Sequence, residues 1–231
     1  MQRIRELVAS VKTAHPNDHF FANIEGTWKT SRQARAQYVG YDRALHALDP
    51  ESWSELKAKA IAHFPDHRKG QLKQGFFNQL NEAFAYEHLI RSGCKGVRIL
   101  KETGKTIPDI AYNFQGMPGH CEVKTIGISQ EQLARWEKIQ AFSGTIYSQL
   151  SDGFLGKLDS ALTSADSQIA AKETTGLIYV VVLFDDFTLM YYETYRKQIL
   201  TKIRQHKSPN IRVKIGLLGQ RSISKGHPCN L

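Results

Sequence analysis

Cysteine is scarce, with three in 231 residues. Cys94, Cys121 and Cys229 are too few and too far apart for a disulfide framework or a Cys-x-x-Cys zinc site. A reducing, cytoplasmic setting is the expectation. Long apolar runs are missing too. The longest, from Leu177 to Phe184, has 8 residues, well short of the ~20 needed to span a membrane as a helix. No apolar stretch follows Arg3 and Arg5, so no secretory signal is read at the start. There is no Gly-x-x-x-x-Gly-Lys loop to cradle a nucleotide phosphate, no internal repeat and no low-complexity tract. What remains is an ordinary globular composition, 41% apolar and 23% charged, long enough for one large domain or a domain with a smaller helical attachment.

One sign of charge is also missing from part of the chain. After Glu193 no acidic residue occurs, while nine of the 31 basic residues fall there: Arg196, Lys197, Lys202, Arg204, Lys207, Arg212, Lys214, Arg221 and Lys225. The preceding residues carry 22 charges of each sign, so the whole formal excess of +9 lies in the last 38 residues. A one-signed segment of this kind attracts a polyanion, most often nucleic acid, or else forms a solvated terminal helix and strand.

Residues 1–70 read as mostly helical. Asp49-Pro50 is a helix start, with an N-cap side chain followed by a residue that needs no N–H, and that helix should end near Phe64-Pro65. Tyr38, Tyr41, Trp53 and Phe64 are the expected core anchors of residues 1–70. A second helix is predicted from about Gln71 to Ser92, stopped by Gly93. Strands follow at 97–100, 109–114 and 120–126, the last two joined by a loop of turn formers. Helices are predicted at about 130–142, 155–172 and 191–205, and strands at 177–184 and 211–217. Helix, three strands, helix and strand in that order indicate an α/β domain with a mixed β-sheet flanked by helices.

The chemistry lies in Pro108-Asp109-Ile110-Ala111-Tyr112-Asn113-Phe114 and His120-Cys121-Glu122-Val123-Lys124-Thr125-Ile126. Side chains alternate across a strand. Packing Ile110, Tyr112 and Phe114 with Cys121 and Val123 therefore leaves Asp109, Glu122 and Lys124 on one common side, with Ile126 beside them. Two carboxylates and an amine suit metal-assisted phosphodiester hydrolysis. Mg²⁺ takes one or two carboxylates plus phosphate oxygens and keeps several waters. Asp109 and Glu122, with the Val123 carbonyl, are the candidate ligands. Lys124 can hold or help deprotonate the attacking water and neutralise the charge that develops. The plain alternative is a salt-linked, solvated ribbon.

Pro108-Asp109, a 12-residue spacer and Glu122-Val123-Lys124 resemble the signature of the PD-(D/E)xK phosphodiesterase superfamily, the restriction endonuclease-like nucleases. The resemblance covers about half the chain and implies a restriction endonuclease-like fold over residues 71–231, carrying a basic C-terminal extension and a helical N-terminal addition, residues 1–70. It implies a Mg²⁺-dependent endonuclease, with Mn²⁺ as substitute, acting on DNA ahead of RNA. A type II restriction enzyme working as a homodimer fits, as does a related repair nuclease. A non-catalytic nucleic-acid-binding or assembly protein on the same fold is the alternative. The family also carries an acidic residue on the helix before the first strand. Glu82, eleven residues before Gly93, fits that place as a further metal-site carboxylate, and Glu87 competes with it. Gln168 falls on the crossover helix, where relatives place a glutamine or lysine, although Lys172 stands where one branch has tyrosine. Arg68, Lys69 and Lys73 would flank the cleft as a phosphate-binding surface. No zinc site is expected, because Pro65 separates His63 from His67, and His227 and Cys229 have no evident partners.

Overall fold

The computed structural model describes residues 1–67, 72–103, 107–127, 148–172, 174–183, 191–215 and 221–225. The helix predicted at 130–142, Arg68, Lys69, His227 and Cys229 lie outside the described residues. The chain divides into two compact units. The first is Met1–Lys105 with Asp109–Asn113; the second is Thr106–Pro108 with Phe114–Leu231.

The first unit holds α1 (Gln2–Ala14), α2 (Ile24–Thr30), α3 (Arg32–His46), α4 (Pro50–Ala62), α5 (Gln74–Arg91), β1 (Lys95–Ile99) and all but the last residue of β2 (Ile110–Phe114). The Asp49 side chain caps α4 by accepting from the Ser52 N–H at 2.7 Å, and Pro50 opens the helix, as the Asp-Pro pair predicts. Gly93, with φ +83, follows the end of α5. The start of α5 is three residues later than the sequence suggests. Lys73 adopts a left-handed conformation, φ 58, which a continuing helix cannot contain. Its ammonium pairs with Asp18 and lies 4.0 Å from the centre of the Phe64 ring. Lys73 is thus an inward-turned packing group, and its expected part in a phosphate surface is not what the structure shows.

Compactness places the boundary beyond residue 70 because α5 is coated with aromatic residues that need the N-terminal helices to cover them. Phe76 meets Phe21 and Phe64 at 5.5 and 5.6 Å, and Phe84 stacks on Tyr41 at 4.9 Å. Tyr41 is buried and donates to the Asn81 side-chain oxygen at 3.0 Å. Aromatic pairs of this kind add to the area they bury. β1 and β2 then pair antiparallel, with Lys95 opposite Asn113 and Ile99 opposite Ile110.

The second unit includes a turn, Gln115-Gly116, with φ values of 49 and 85, ahead of its first strand. It holds β3 (Met117–Ile126), α6 (Asp152–Ala170), β4 (Thr175–Val182), α7 (Tyr192–Gln205), β5 (Ile211–Ile215) and β6 (Arg221–Lys225). The strands lie in the order β3-β4-β5-β6, parallel until the antiparallel final pair. Ile126, Ile178, Val180, Val182, Ile211, Val213 and Ile215 pack with Leu158, Leu162 and Ile169 of α6 and Ile199 and Ile203 of α7. Leu177, Tyr179 and Val181 point to the opposite face and are buried as well, which explains the continuous apolar run of β4. β6 is not legible in the sequence, since Arg221-Ser222-Ile223-Ser224-Lys225 offers one apolar residue. The protein is of mixed α/β class, with a mixed sheet flanked by helices.

Where β4 starts, an added Cβ on Gly176 would lie 2.3 Å from the His120 carbonyl oxygen and 2.6 Å from Ile169 Cγ2. The backbone of β3 cannot yield cheaply. Gly176→Ala should therefore destabilise the fold by roughly 1–3 kcal/mol, the usual cost of overpacking, measured by urea unfolding.

Candidate functional site

In the second unit the β3–β4 register sets Glu122 opposite Ile178 and Lys124 opposite Val180. Both side chains thus take the sheet face that α6 covers, next to the Ile126 cluster. Glu122 is 3% exposed, and its Oε1 accepts from Lys124 Nζ at 2.6 Å. Lys124 also donates to Gln168 Oε1 on α6 at 2.6 Å, and Gln168 Nε2 donates to the Ile107 carbonyl at 3.5 Å. The ammonium is fixed between a carboxylate and an amide and keeps about a quarter of its side chain exposed. Cys121 and Val123 point to the other face.

The first unit holds the remaining carboxylates. Glu82, on α5, is buried, and both its oxygens accept from Lys59 Nζ of α4, at 2.7 and 2.9 Å. Lys59 is itself buried, and Glu102 Oε1 lies 3.9 Å from its ammonium. Burial pushes the Glu82 carboxyl well above its usual range, the Asp109 charge pushes it further, and Lys59 pulls it back. Burial opposes the Lys59 ammonium, but Glu82, Asp109 and Glu102 outweigh it and raise its pKa. Three carboxylates act on one amine, so the proton stays on Lys59.

Glu87 has a different environment. It pairs with Arg43 at 3.2 Å and Arg91 at 2.6 Å, both well exposed. The Asp109 charge acts on the ionisation of Glu82. Lys59 was missed in the sequence, yet a signal exists: it lies on the buried stripe of α4 with Trp53, Leu56 and Ala60, and a lysine there must find a counter-ion.

Beyond Lys59 the polar chain continues through His63. Its Nδ1 bonds Asp66 at 2.7 Å and its Nε2 bonds Glu102 at 3.1 Å. The Asp66 bond raises the His63 pKa above 6.5, partial burial lowers it, and Glu102 adds to the rise. A raised pKa in the folded state stabilises below 6.5, and that stabilisation fades as pH climbs through the raised value. His63→Gln should thus lower the melting temperature most below pH 6.5, with the gap to wild type closing as pH rises, seen in melts on both sides of that value.

Asp109 belongs to the first unit, and Glu122, Val123 and Lys124 to the second. Among the described residues no group of three or more His, Cys, Asp or Glu is placed to hold a metal ion. Comparison with protein-family models, curated proteins and solved structures finds no match to this chain. The donors that are present are oxygens, the type that hard cations such as Mg²⁺ and Mn²⁺ prefer. In both units a buried glutamate already has a cation against it, an ammonium at 2.6–2.9 Å.

The basic segment is partly spoken for. Lys202 pairs with Asp159 and Lys207 with Asp166, each at 3.1 Å, and Arg196 pairs with Glu193 of its own helix at 3.6 Å. Lys197 and Arg204 are exposed. Among the described residues no helix is long and apolar enough to cross a membrane.

Proposed function

We propose that this chain is a Mg²⁺-dependent endonuclease of the restriction endonuclease-like, PD-(D/E)xK type, hydrolysing phosphodiester bonds in DNA. Support comes first from one observation, the buried Glu122 carboxylate with the Lys124 ammonium held beside it on a single strand. Pro108-Asp109 opens the preceding strand at the spacing that the superfamily uses. Asp109 and Glu122 would hold the ion, with the Val123 carbonyl, and Glu82 would support the site. Mg²⁺, when bound, would acidify a water and offset charge on the phosphate. Lys124 would orient the attacking water and steady the negative charge growing on the phosphoryl oxygens as the water oxygen bonds to phosphorus, its proton passing to solvent, and the P–O bond to the leaving oxygen breaks, that oxygen taking a proton from solvent. Gln168 positions Lys124. The partner is a polyanion drawn to Lys197, Arg204 and the basic residues after them. A homodimer working in the cytoplasm completes the proposal.

Supercoiled plasmid incubated with the protein and Mg²⁺ should become nicked or linear, while Asp109→Ala or omission of Mg²⁺ should leave it intact. Plasmid untouched by the wild type with either Mg²⁺ or Mn²⁺, across a range of salt, would refute the assignment. A second reading, a non-catalytic nucleic-acid-binding or assembly protein on the same fold, is favoured by the ammonium groups that already neutralise Glu82 and Glu122. Such a protein would bind DNA with an affinity that Mg²⁺ leaves unchanged.

A further inference from the structure

Lys59 has no part in the hydrolytic scheme above, yet it is the cation most deeply set among the carboxylates of the first unit. We infer that Lys59 is a positioning residue that permanently holds the place of a second divalent cation, so that Glu82 serves the site through Lys59 and not as a metal ligand. The inference rests on the endonuclease proposal and deepens it.

The geometry carries the argument. Both Glu82 oxygens are committed to Lys59 Nζ, at 2.7 and 2.9 Å, and both side chains are about 95% buried. A carboxylate bound through both oxygens to a buried ammonium cannot turn to a metal without stranding that ammonium, which would then lack its closest anion in a dry setting. Glu102 Oε1 stands 3.9 Å from the ammonium, and the charge of Asp109 is felt by both members of the pair. The Lys59 ammonium is the cation that Glu82 and Glu102 share, at 2.7 and 3.9 Å. Without it a further cation would be drawn to the two carboxylates, since a hard divalent ion takes one or two carboxylates and fills its shell with water. A buried ion pair with a purely structural role would leave the number of bound metal ions unchanged when it is removed.

Mn²⁺ binding to the full chain, counted by titration calorimetry and by the loss of the free-ion paramagnetic resonance signal, separates these cases. The wild type should take one Mn²⁺, Lys59→Met two, and the double variant Lys59→Met/Glu82→Gln one again. A folded Lys59→Met chain that takes no more Mn²⁺ than the wild type overturns the inference and leaves the nuclease assignment standing. A wild type with no bound Mn²⁺ and no cleavage, beside a Lys59→Met chain that binds one, upholds the role of Lys59 and removes the nuclease assignment. Should Lys59→Met fail to fold, Glu82→Gln decides, since it keeps an oxygen for Lys59. Its Mn²⁺ affinity should fall by less than about tenfold, and a larger loss, of the size that disturbing a metal site brings, would put Glu82 on the metal and overturn the inference.

Discussion

Lys124→Ala should lower the cleavage rate by about 10²–10³-fold, the range for losing a group that stabilises developing charge at a reacting centre. DNA affinity in a gel-shift assay should change little, because affinity is summed over many phosphate contacts. The structure adds a second expectation. Lys124 is the ammonium that neutralises Glu122, which is 3% exposed, so its removal leaves a buried carboxylate without that partner. The variant should melt below the wild type, and Mg²⁺ should recover part of the loss by binding where the ammonium was. Cleavage is therefore best compared well below both melting temperatures. Full activity in Lys124→Ala would end the proposed mechanism, whatever the protein does to DNA.

The largest effect on stability is expected at Lys59. Breaking a buried ion pair from one side costs about 3–5 kcal/mol, since the remaining charge stays in a low-dielectric setting. At ~2–4 °C per kcal/mol for a chain of this length, Lys59→Met should lower the melting temperature by roughly 6–20 °C. Replacing both partners, as in Lys59→Met/Glu82→Met, should return most of it, because an apolar pair of similar volume fills the same space without charge. Calorimetric melts of the two variants make the comparison. A single variant that melts with the wild type would show that Glu82 protonates at little cost, and the pair would then contribute nothing net.

Much of the local structure could be read without coordinates, for reasons that are themselves local. The Asp49 cap, the stop at Gly93 and the alternation that buries Ile110 and Tyr112 depend on residues a few positions apart. Glu122 and Lys124 share a face because a strand returns every second side chain to the same side. The late start of α5 was not legible, because it depends on Lys73 turning inward to Asp18 and Phe64, residues distant in the chain. The same holds for charge. Nine basic residues with no acid among them look uniform along the chain, but Lys202 and Lys207 find acids on another helix.

The sequence by itself determined the class of the fold, the order of its main elements and the candidate trio, because periodicity and spacing are properties of neighbours. Only the tertiary structure decided which charges face each other. It matched Glu82 to Lys59, Glu87 to two exposed arginines, and Lys124 to Gln168. Apart from Glu87 and Arg91, four positions apart on one helix, these pairings join residues 23 to 44 positions apart. The cost of leaving a charge buried alone enforces them, and that cost arises only once the chain has closed around it.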